Sequence, residues 1–496
     1  MNIQFDQIPN LSLIACYGPK TQEISSIVYS SQEVVEGSVF FCVSGEHTDG
    51  HFYIEEAIER GASAIVGSDL PLLEKYAEKH GALTFSVVED SRIALAYTSL
   101  LFFKGAQDQL IKVGVTGTNG KTTTATYVYN LFNLIGIPCG FLGTTGIYNS
   151  SGKITYKKST PTTPISSDIH RVFSDLVAVG DQAASMEVSS IALDQKRVEG
   201  IVFDVAIHTN ISEEHMEYHK EFSHYLTSKL QLFTQAKTAV INIDDQGMSK
   251  EILDVVDYEH LTYSRHTDSG AHLIWTNCES HGDGMAFDLH YNGQVYPIKV
   301  PIFGDYNVAN LVAAIGAALL SNASIDQILS AVSRMPQVEG RFQVIPGPED
   351  RKIIIDYAHT PVALDLVLQE VKKLPHNRLI AMIMGVGIRD LAKMPKMAKS
   401  AEGKADLVVV SVDHPGYMEP ESVIEEVLKG FSLPYKQEVL TAPTRREGVL
   451  AALKESGPND IILLSGGCIN GAQIIKGENI PHSDEEIIEG YFLQQN

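Results

Sequence analysis

Cysteine is scarce and scattered in this chain. The five, Cys16, Cys42, Cys139, Cys278 and Cys468, are odd in number and no two stand at metal-ligand spacing. That pattern argues against a disulfide framework and a Cys-rich zinc site, and for a reducing compartment. Positive charge is also short. Lys and Arg total 38 against 61 Asp and Glu, for a formal net charge of −23. Phosphate repels so acidic a surface, so no nucleic-acid partner is expected. An anionic small substrate stays compatible if local cations and helix N-termini gather around it. Long apolar runs are missing as well. None reaches the roughly 18 residues of a membrane span, so no membrane insertion is expected. The start, MNIQFDQIPNLSLI, lacks a basic segment followed by a long apolar one, so no secretory signal is expected. These absences leave a cytoplasmic enzyme or binding protein.

What is present is ordinary globular composition, 44% apolar and 20% charged. It excludes disorder, collagen and coiled coil. A chain of 496 residues has room for about three domains at roughly 150 residues each. Short apolar runs alternate with helical stretches. VFFCVS (39–44), ASAIVG (62–67), IKVGVTG (111–117), TAVINI (238–243), KIIIDYA (352–358), RLIAMIMG (378–385), DLVVVSV (406–412) and DIILLSGG (460–467) read as strands. HFYIEEAIERG, TTTATYVYNLFNLIG, VANLVAAIGAALLSN and PESVIEEVLKG read as helices. Such alternation implies an α/β fold of parallel sheets faced by helices. Breaks at FKGAQDQ and MPQVEGR predict three domains, 1–105, 106–336 and 337–496. No internal repeat or low-complexity tract is seen.

The strongest local signal is IKVGVTGTNGKTTTATYVYNLF. A buried strand runs into Gly117, Thr118, Asn119, Gly120, Lys121, Thr122 and Thr123, and a helix follows. Glycines let backbone N–H groups turn toward a phosphate chain, and the helix N-terminus adds partial positive charge. Lys121 can reach the terminal phosphates and Thr122 can bind Mg²⁺. The spacing departs from the standard phosphate loop, because Val115 stands where its first glycine would fall.

Further on, Glu187 in MEVSS sits where a strand should end, a position from which a carboxylate can coordinate Mg²⁺. In HTNISEEHMEYH, His215 and His219 stand at i and i+4, as in a zinc site. The zincin pattern has Glu directly after the first His and here Met216 stands there, so zinc is discounted. A single histidine, His215, joining Thr122 and Glu187 around Mg²⁺ is chemically sound. Read alone, Glu187 is a solvated acid, His215 an interior histidine, and Lys229 in YLTSKLQLF a surface lysine on an amphipathic helix.

Taken together these stretches resemble the Mur ligases, the ATP-dependent amide ligases of peptidoglycan synthesis. TGTNGKTTT, EVSS with Arg197 eight residues after Ser189, TNISEEH, YLTSKLQLF, GDYNVANLVAA, VEGRF and DYAHTP occur in order over nearly the whole chain, and SGEHTDGHFYI fits the family's uridine-nucleotide domain. Within the family the chain most resembles the UDP-N-acetylmuramoyl-L-alanyl-D-glutamate ligases, which add the third amino acid. The resemblance implies an N-terminal UDP-sugar domain, a central ATPase-type parallel sheet and a C-terminal Rossmann-like, acceptor-binding domain. It implies ATP and Mg²⁺ as cofactors, a UDP-N-acetylmuramoyl-dipeptide and an amino acid as partners, and a monomer. Lys121 and Thr122 would bind ATP and Mg²⁺, with Glu187 and His215 as further metal ligands. Asn307, Asn310 and Arg341 would lie near adenine and phosphates, with Asp356 and His359 on the C-terminal side of the nucleotide. Thr162, Thr163, Ser189, Gln195 and Arg197 would hold the muramoyl-dipeptide. Ser30 and the loop around Glu46, His47 and Thr48 would face the uridine. Lys229 fits the position of a carbamylated lysine, whose anion can hold a second Mg²⁺ beside the γ-phosphate.

The departures from the family pattern fall in one place. The usual D-N-P-R, which holds the incoming amino acid, reads Asp413, His414, Pro415, Gly416, so the bidentate arginine is missing. G-K-G-H-E-D-Y-Q becomes Gly466 to Gln473, with Asn470 where Glu is expected. Arg389 and Asp390 survive from G-G-D-R-D-x-x-K-R, but its last arginine is Met394. Ile191 replaces the histidine of EVSSHAL, and Tyr29-Ser30-Ser31 replaces D-S-R. ATP, metal and dipeptide positions are largely kept. The chain thus reads as a working ligase with an altered acceptor, for which diaminopimelate and lysine fit poorly. Restoring Arg at 416 and Glu at 470 is expected to move preference toward diaminopimelate. Domain closure over the nucleotide is expected to exclude water. Two competitors stand beside this reading. One is a secondary-pathway ligase joining a different amine to a related carboxylate, as folylpolyglutamate synthases do. The other is a non-catalytic precursor-binding homologue.

Overall fold

The computed structural model describes residues 1–45, 48–156, 162–388, 391–467 and 471–494. The chain divides into two compact units, Met1–Thr262 with Gly316–Ala323, and Tyr263–Ile315 with Ser324–Asn496.

The first unit holds two larger sheets beside the small antiparallel pair Asn2–Gln4 and Thr21–Glu23. The N-terminal one runs in the order Leu13–Tyr17, Thr84–Val88, Ala62–Gly67, Ser38–Phe41, Ser26–Val28, parallel except for its first strand. Its hydrophobic strands pack two cores, one around Phe5, Val39 and Phe41 and the other around Phe40, Ile65 and Phe85. The second sheet holds the candidate site. Its central strands run Cys139–Gly143, Ala183–Glu187, Ile111–Thr116, Phe203–His208, Ala236–Asn242, all parallel. All but the last are almost wholly buried, which is why they read as continuous apolar runs. Register sets Glu187 beside Val115 and His208 beside Thr116. The carboxyl ends of neighbouring strands therefore share one edge, where parallel α/β sheets bind ligands.

In the second unit, a six-stranded sheet runs Gln343–Pro346, Lys352–Asp356, Ile461–Ser465, Leu379–Val386, Leu407–Asp413, Glu438–Ala442. Only the first strand is antiparallel. Its two faces bury separate cores, one including Ile354, Ile383 and Val410, the other Ile355, Met382 and Val409. Asp356 pairs with Ser465 and Val386 with Asp413, again gathering polar strand ends at one edge.

All eight predicted strands form, with ends shifted by a few residues, and the four predicted helical stretches carry Ile54–Glu59, Lys121–Leu134, Asp305–Leu320 and Pro420–Leu428. The sequence pattern does not announce the antiparallel meander Leu273–His281, Gly284–Tyr291, Gln294–Val300. Its outer strand is largely exposed and includes Pro297, so it lacks the dense apolar run of the others. Among the described residues no helix is long and apolar enough to cross a membrane.

Candidate active site

The phosphate loop leaves the buried strand Ile111–Thr116 and enters the helix Lys121–Leu134. Gly117 has φ +154°, and a Cβ there would stand 1.9 Å from Thr209 Oγ1, so only glycine fits. Gly120, at φ +84°, turns the chain into the helix. The loop is clasped by the segment after the neighbouring strand. Thr118 N donates to Asn210 O at 2.7 Å, and Asn119 N to Asn210 Oδ1 at 3.0 Å. Thr209 Oγ1 donates to Asn119 O at 2.7 Å, and Ser212 N to Thr118 Oγ1 at 2.9 Å. Thr209 and Asn210 lie in TNISEEH, yet sequence reasoning gave them no task. Their short polar side chains beside a strand end were the available signal.

Two oxygen ligands meet beside this loop. Thr122 Oγ1 donates to Glu187 Oε2 at 2.9 Å. Glu187 is 1% exposed, and its Oε1 also accepts the Thr144 N–H at 2.7 Å. A buried carboxylate and a hydroxyl at one spot are hard oxygen donors of the kind Mg²⁺ takes, so these residues fit that ion. His215 does not join them. It caps the helix Met216–His219 with φ +58°, its side chain is 44% exposed, and its Nδ1 lies 3.5 Å from Glu217 Oε1. Among the described residues no group of three or more His, Cys, Asp or Glu side chains stands ready to hold a metal.

The two lysines behave differently from one another. Lys121 Nζ donates to Gly117 O and Thr118 O, each at 2.9 Å, folding back on its own loop. Lys229 is no surface residue. It is 1% exposed, lies on the helix Phe222–Thr234, and donates to Gly117 O at 2.7 Å. Its ammonium sits 4.7 Å from the centre of the Tyr225 ring, and the Tyr225 hydroxyl shares a 2.9 Å hydrogen bond with Thr118 Oγ1. Burial, then the nearby Lys121 charge, push the Lys229 pKa well below the usual lysine range, against a smaller pull from Glu214.

The residues expected at the dipeptide form one network. Thr163 Oγ1 donates to Glu187 O at 2.9 Å and accepts the Ser189 N–H at 3.0 Å. Arg197 Nη1 donates to Thr163 O at 2.8 Å, and its Nη2 to Gln195 Oε1 at 2.7 Å. Thr162 Oγ1 accepts from Thr144 Oγ1 at 3.1 Å. The strand end that carries Glu187 therefore also positions the Arg197 guanidinium, through Thr163. Ser30 precedes the turn Ser31–Glu33, and its carbonyl accepts the Glu33 N–H at 3.0 Å.

In the second unit, Asn307 Nδ2 donates to Phe303 O at 2.8 Å, and Asn310 Nδ2 to Asn307 Oδ1 at 3.3 Å. Asp356 accepts the Phe342 N–H at 2.8 Å and the Ala358 N–H at 2.9 Å. Burial raises the Asp356 pKa, and the opposing pull of the Arg341 charge does not overcome it. Arg341 lies over the Tyr357 ring, and His359 Nδ1 is 2.9 Å from Tyr357 O.

The segment 413–416 is built differently from a simple open grip. Asp413 is wholly buried and accepts from Gln473 Nε2 at 3.0 Å. His414, at φ +47°, accepts the Ile474 N–H on Nδ1 at 3.0 Å, which leaves its proton on Nε2. Gly416 lies against the strand Ala472–Ile475, donating to Ile474 O at 3.2 Å and accepting the Lys476 N–H at 2.7 Å. Its φ is +62°, and a Cβ would stand 2.5 Å from Ile388 Cγ2. This corrects one expectation: the backbone at 416 is set for glycine, so an arginine cannot simply be restored there. Gly466 N donates to Ala358 O at 3.1 Å. Glu46, His47, Arg389, Asp390 and Asn470 lie outside the described residues.

Comparison with known proteins bears on these arrangements. Residues 115–318 match the Mur ligase middle domain, 340–468 the Mur ligase glutamate ligase domain, and 23–97 the Mur ligase family catalytic domain. A UDP-N-acetylmuramoyl-L-alanyl-D-glutamate–2,6-diaminopimelate ligase of Clostridium botulinum is 34% identical over 471 residues, 94% of this chain and 95% of that protein. The enzyme of the same name from Aquifex aeolicus is 34% identical over 470 residues, covering 94% and 93%. A solved structure titled as such a diaminopimelate ligase superposes with TM-score 0.69 at 26% identity, covering 100% of this chain and 99% of that one. A MurF ligase from Thermotoga maritima in complex with ADP shares the fold, with TM-score 0.65 at 18% identity over 95% of this chain and 98% of its own.

Proposed function

The chain belongs to the Mur ligase family of three-domain α/β ATP-dependent ligases, and on that footing we propose that it joins an amino acid to the D-glutamyl carboxylate of UDP-N-acetylmuramoyl-L-Ala-D-Glu. The domain boundaries fall near 105 and 336. The observation that carries the reading is the continuous link from phosphate loop to dipeptide network. Thr122 contacts Glu187, Glu187 holds Thr163, and Thr163 holds Arg197.

The chemistry follows from the poor acylating power of a carboxylate. The γ-phosphoryl group of ATP passes to the D-glutamyl oxygen, giving an acyl phosphate and ADP. The acceptor's free amine then attacks the acyl carbon, and the tetrahedral intermediate collapses to amide and phosphate. Lys121 leaves its loop carbonyls for the phosphates and offsets the charge that builds during transfer. The backbone N–H groups of the loop and the start of the helix Lys121–Leu134 cradle the same phosphates. Arg197 orients the dipeptide. Thr122 and Glu187 would hold Mg²⁺, which would neutralise phosphate charge when bound. Asn307, Asn310, Arg341, Asp356 and His359 serve the nucleotide in this reading.

Lys229 is carbamylated in this reading. Carbamate forms when the neutral amine nitrogen bonds to the carbon of CO₂ and releases one proton to solvent, and burial favours that neutral form. The product is an anion beside the loop, where a cation would oppose Lys121.

The acceptor is small or carries an uncharged side chain. Two charged groups of the family pattern are replaced by Gly416 and Asn470. Truncating one side of a buried charge pair costs about 2–5 kcal/mol. Phosphate release with UDP-N-acetylmuramoyl-L-Ala-D-Glu, ATP and a panel of amines, with products identified by mass spectrometry, tests both statements. Neutral amino acids should outperform L-lysine and meso-diaminopimelate. A wild-type preference for diaminopimelate over every neutral amino acid refutes the acceptor assignment. Absence of phosphate release with all of them refutes the ligase reading.

A further inference from the structure

The Arg197 guanidinium is held by a chain of hydrogen bonds that leads away from Thr163. Its Nε and Nη2 both donate to Gln195 Oε1, at 3.2 and 2.7 Å. Gln195 Nε2 donates to the Tyr218 hydroxyl at 3.3 Å, and that hydroxyl donates to Asp194 Oδ2 at 2.6 Å. His224 Nε2 lies 3.0 Å from the other carboxylate oxygen, Asp194 Oδ1. The two ends of the chain have fixed sign, because arginine can only donate and a carboxylate can only accept. The amide and the phenol between them can do either, and one arrangement satisfies all four groups. Gln195 turns its oxygen to Arg197, and Tyr218 points its proton at Asp194. Burial, then the Asp194 hydrogen bond, raise the Tyr218 pKa, which keeps that proton on the phenol.

The chain joins three elements. Asp194 ends the helix Ser190–Asp194, which Ser189 caps. Tyr218 lies on the four-residue helix Met216–His219, bounded by two non-glycine residues at positive φ, His215 at +58° and Lys220 at +65°. His224 lies on Phe222–Thr234, the helix of Lys229. His219 Nε2 lies 2.9 Å from Ser190 Oγ, so the short helix is tied to both ends of Ser190–Asp194. Strained backbone of this kind persists only where its surroundings over-determine it. Stability alone is a poor account of these ties. The Asp194 and His224 side chains are 28% and 46% exposed, and ion pairs so open to water add little to folding. What the ties do is fix the Tyr218 hydroxyl, and through it the face of the amide shown to Arg197. We propose that Asp194 and Tyr218 are positioning residues for Arg197: their hydrogen bonds fix the Gln195 amide and so aim the guanidinium at an anionic group of the UDP-N-acetylmuramoyl-dipeptide. This rests on the reading above that Arg197 orients the dipeptide.

The test is a double-mutant cycle on the full chain. It reads the Kd of UDP-N-acetylmuramoyl-L-Ala-D-Glu by titration calorimetry, with Mg²⁺ and a non-hydrolysable ATP analogue present. The variants are Tyr218→Phe, Asp194→Ala, Asp194→Asn, Arg197→Lys, and Tyr218→Phe combined with Arg197→Lys. Misplacing a binding group by about an ångström costs up to about 10²-fold. Tyr218→Phe and Asp194→Ala should each raise the dipeptide Kd on the order of 10-fold, and Arg197→Lys on the order of 100-fold. Asp194→Asn keeps an oxygen for the Tyr218 proton and should stay within about threefold of wild type. Once Arg197 is lysine, Tyr218→Phe should add no further loss, because both changes act through one contact. The Kd of the ATP analogue should be unchanged throughout, and thermal unfolding checks that each variant is folded. Folded Tyr218→Phe and Asp194→Ala with a wild-type dipeptide Kd overturn the proposal. Losses that add in full to that of Arg197→Lys, or that weaken the analogue equally, also overturn it, because they mark a merely structural role. A wild-type dipeptide Kd in Arg197→Lys overturns the Arg197 reading, and this proposal with it.

Discussion

Replacing Lys229 by Met separates its chemistry from its packing. Its side chain is 1% exposed, so an alanine there would leave a cavity, whereas methionine keeps most of the volume. The buried amine has a pKa well below that of an unfolded lysine, first through burial and then through Lys121. The unfolded chain therefore binds more protons between the folded and unfolded pKa values. Stability is fully present above the ordinary lysine pKa and is lost as pH falls toward the folded one. The slope over that window is about 1.4 kcal/mol per pH unit. Urea unfolding in CO₂-free buffer at several alkaline pH values should show wild type gaining on Lys229→Met by about that amount per unit. Parallel pH profiles for the two proteins would refute the claim that the amine is buried and neutral. The same variant should lose on the order of 10²–10³ in kcat, the loss typical when an aligned electrostatic group is removed. In wild type, degassing at mildly acidic pH should lower activity and bicarbonate should restore it. Equal activity in both, together with an active Lys229→Met, would remove the carbamate from the mechanism.

Lys121→Ala should abolish phosphate release; activity within a few-fold of wild type would displace the phosphate-loop assignment. Glu187→Ala should raise the Mg²⁺ concentration needed for half-maximal rate, while His215→Ala should leave it near wild type; an unchanged metal titration in Glu187→Ala would move the metal site elsewhere. Gly416→Arg should destabilise the protein by about 2–4 kcal/mol, combining roughly 1–2 for the left-handed backbone with the crowding of Ile388. A fully stable Gly416→Arg protein in urea unfolding would show that the loop can relax, and would revive the expectation that Gly416→Arg with Asn470→Glu shifts preference toward diaminopimelate.

The local signals in the sequence were those that depend on near neighbours. Buried strands show as continuous Ile and Val runs because both faces are covered, and the turn from strand to helix at 117–121 needs glycine and lysine whatever surrounds it. The ordered motifs carried the family, and with it the residues expected at the dipeptide, which the fold joins through Thr163 and Arg197. Other features depend on segments far apart in the chain. Lys229 sits on an amphipathic helix that reads as surface, and only packing against the phosphate loop buries it beside Gly117. Thr209 and Asn210 become clasps only when two parallel strands end together. The conformation of Gly416 is decided by the hairpin 472–481 and by Ile388, which no motif announces. Arg445 looks like an ordinary helix-start cation until the fold encloses it with Asp484, from a later helix. Backbone propensity and apolar patterning act over a few residues and can be read from the chain. Burial, and the charge pairing that burial demands, belong to the assembled structure alone.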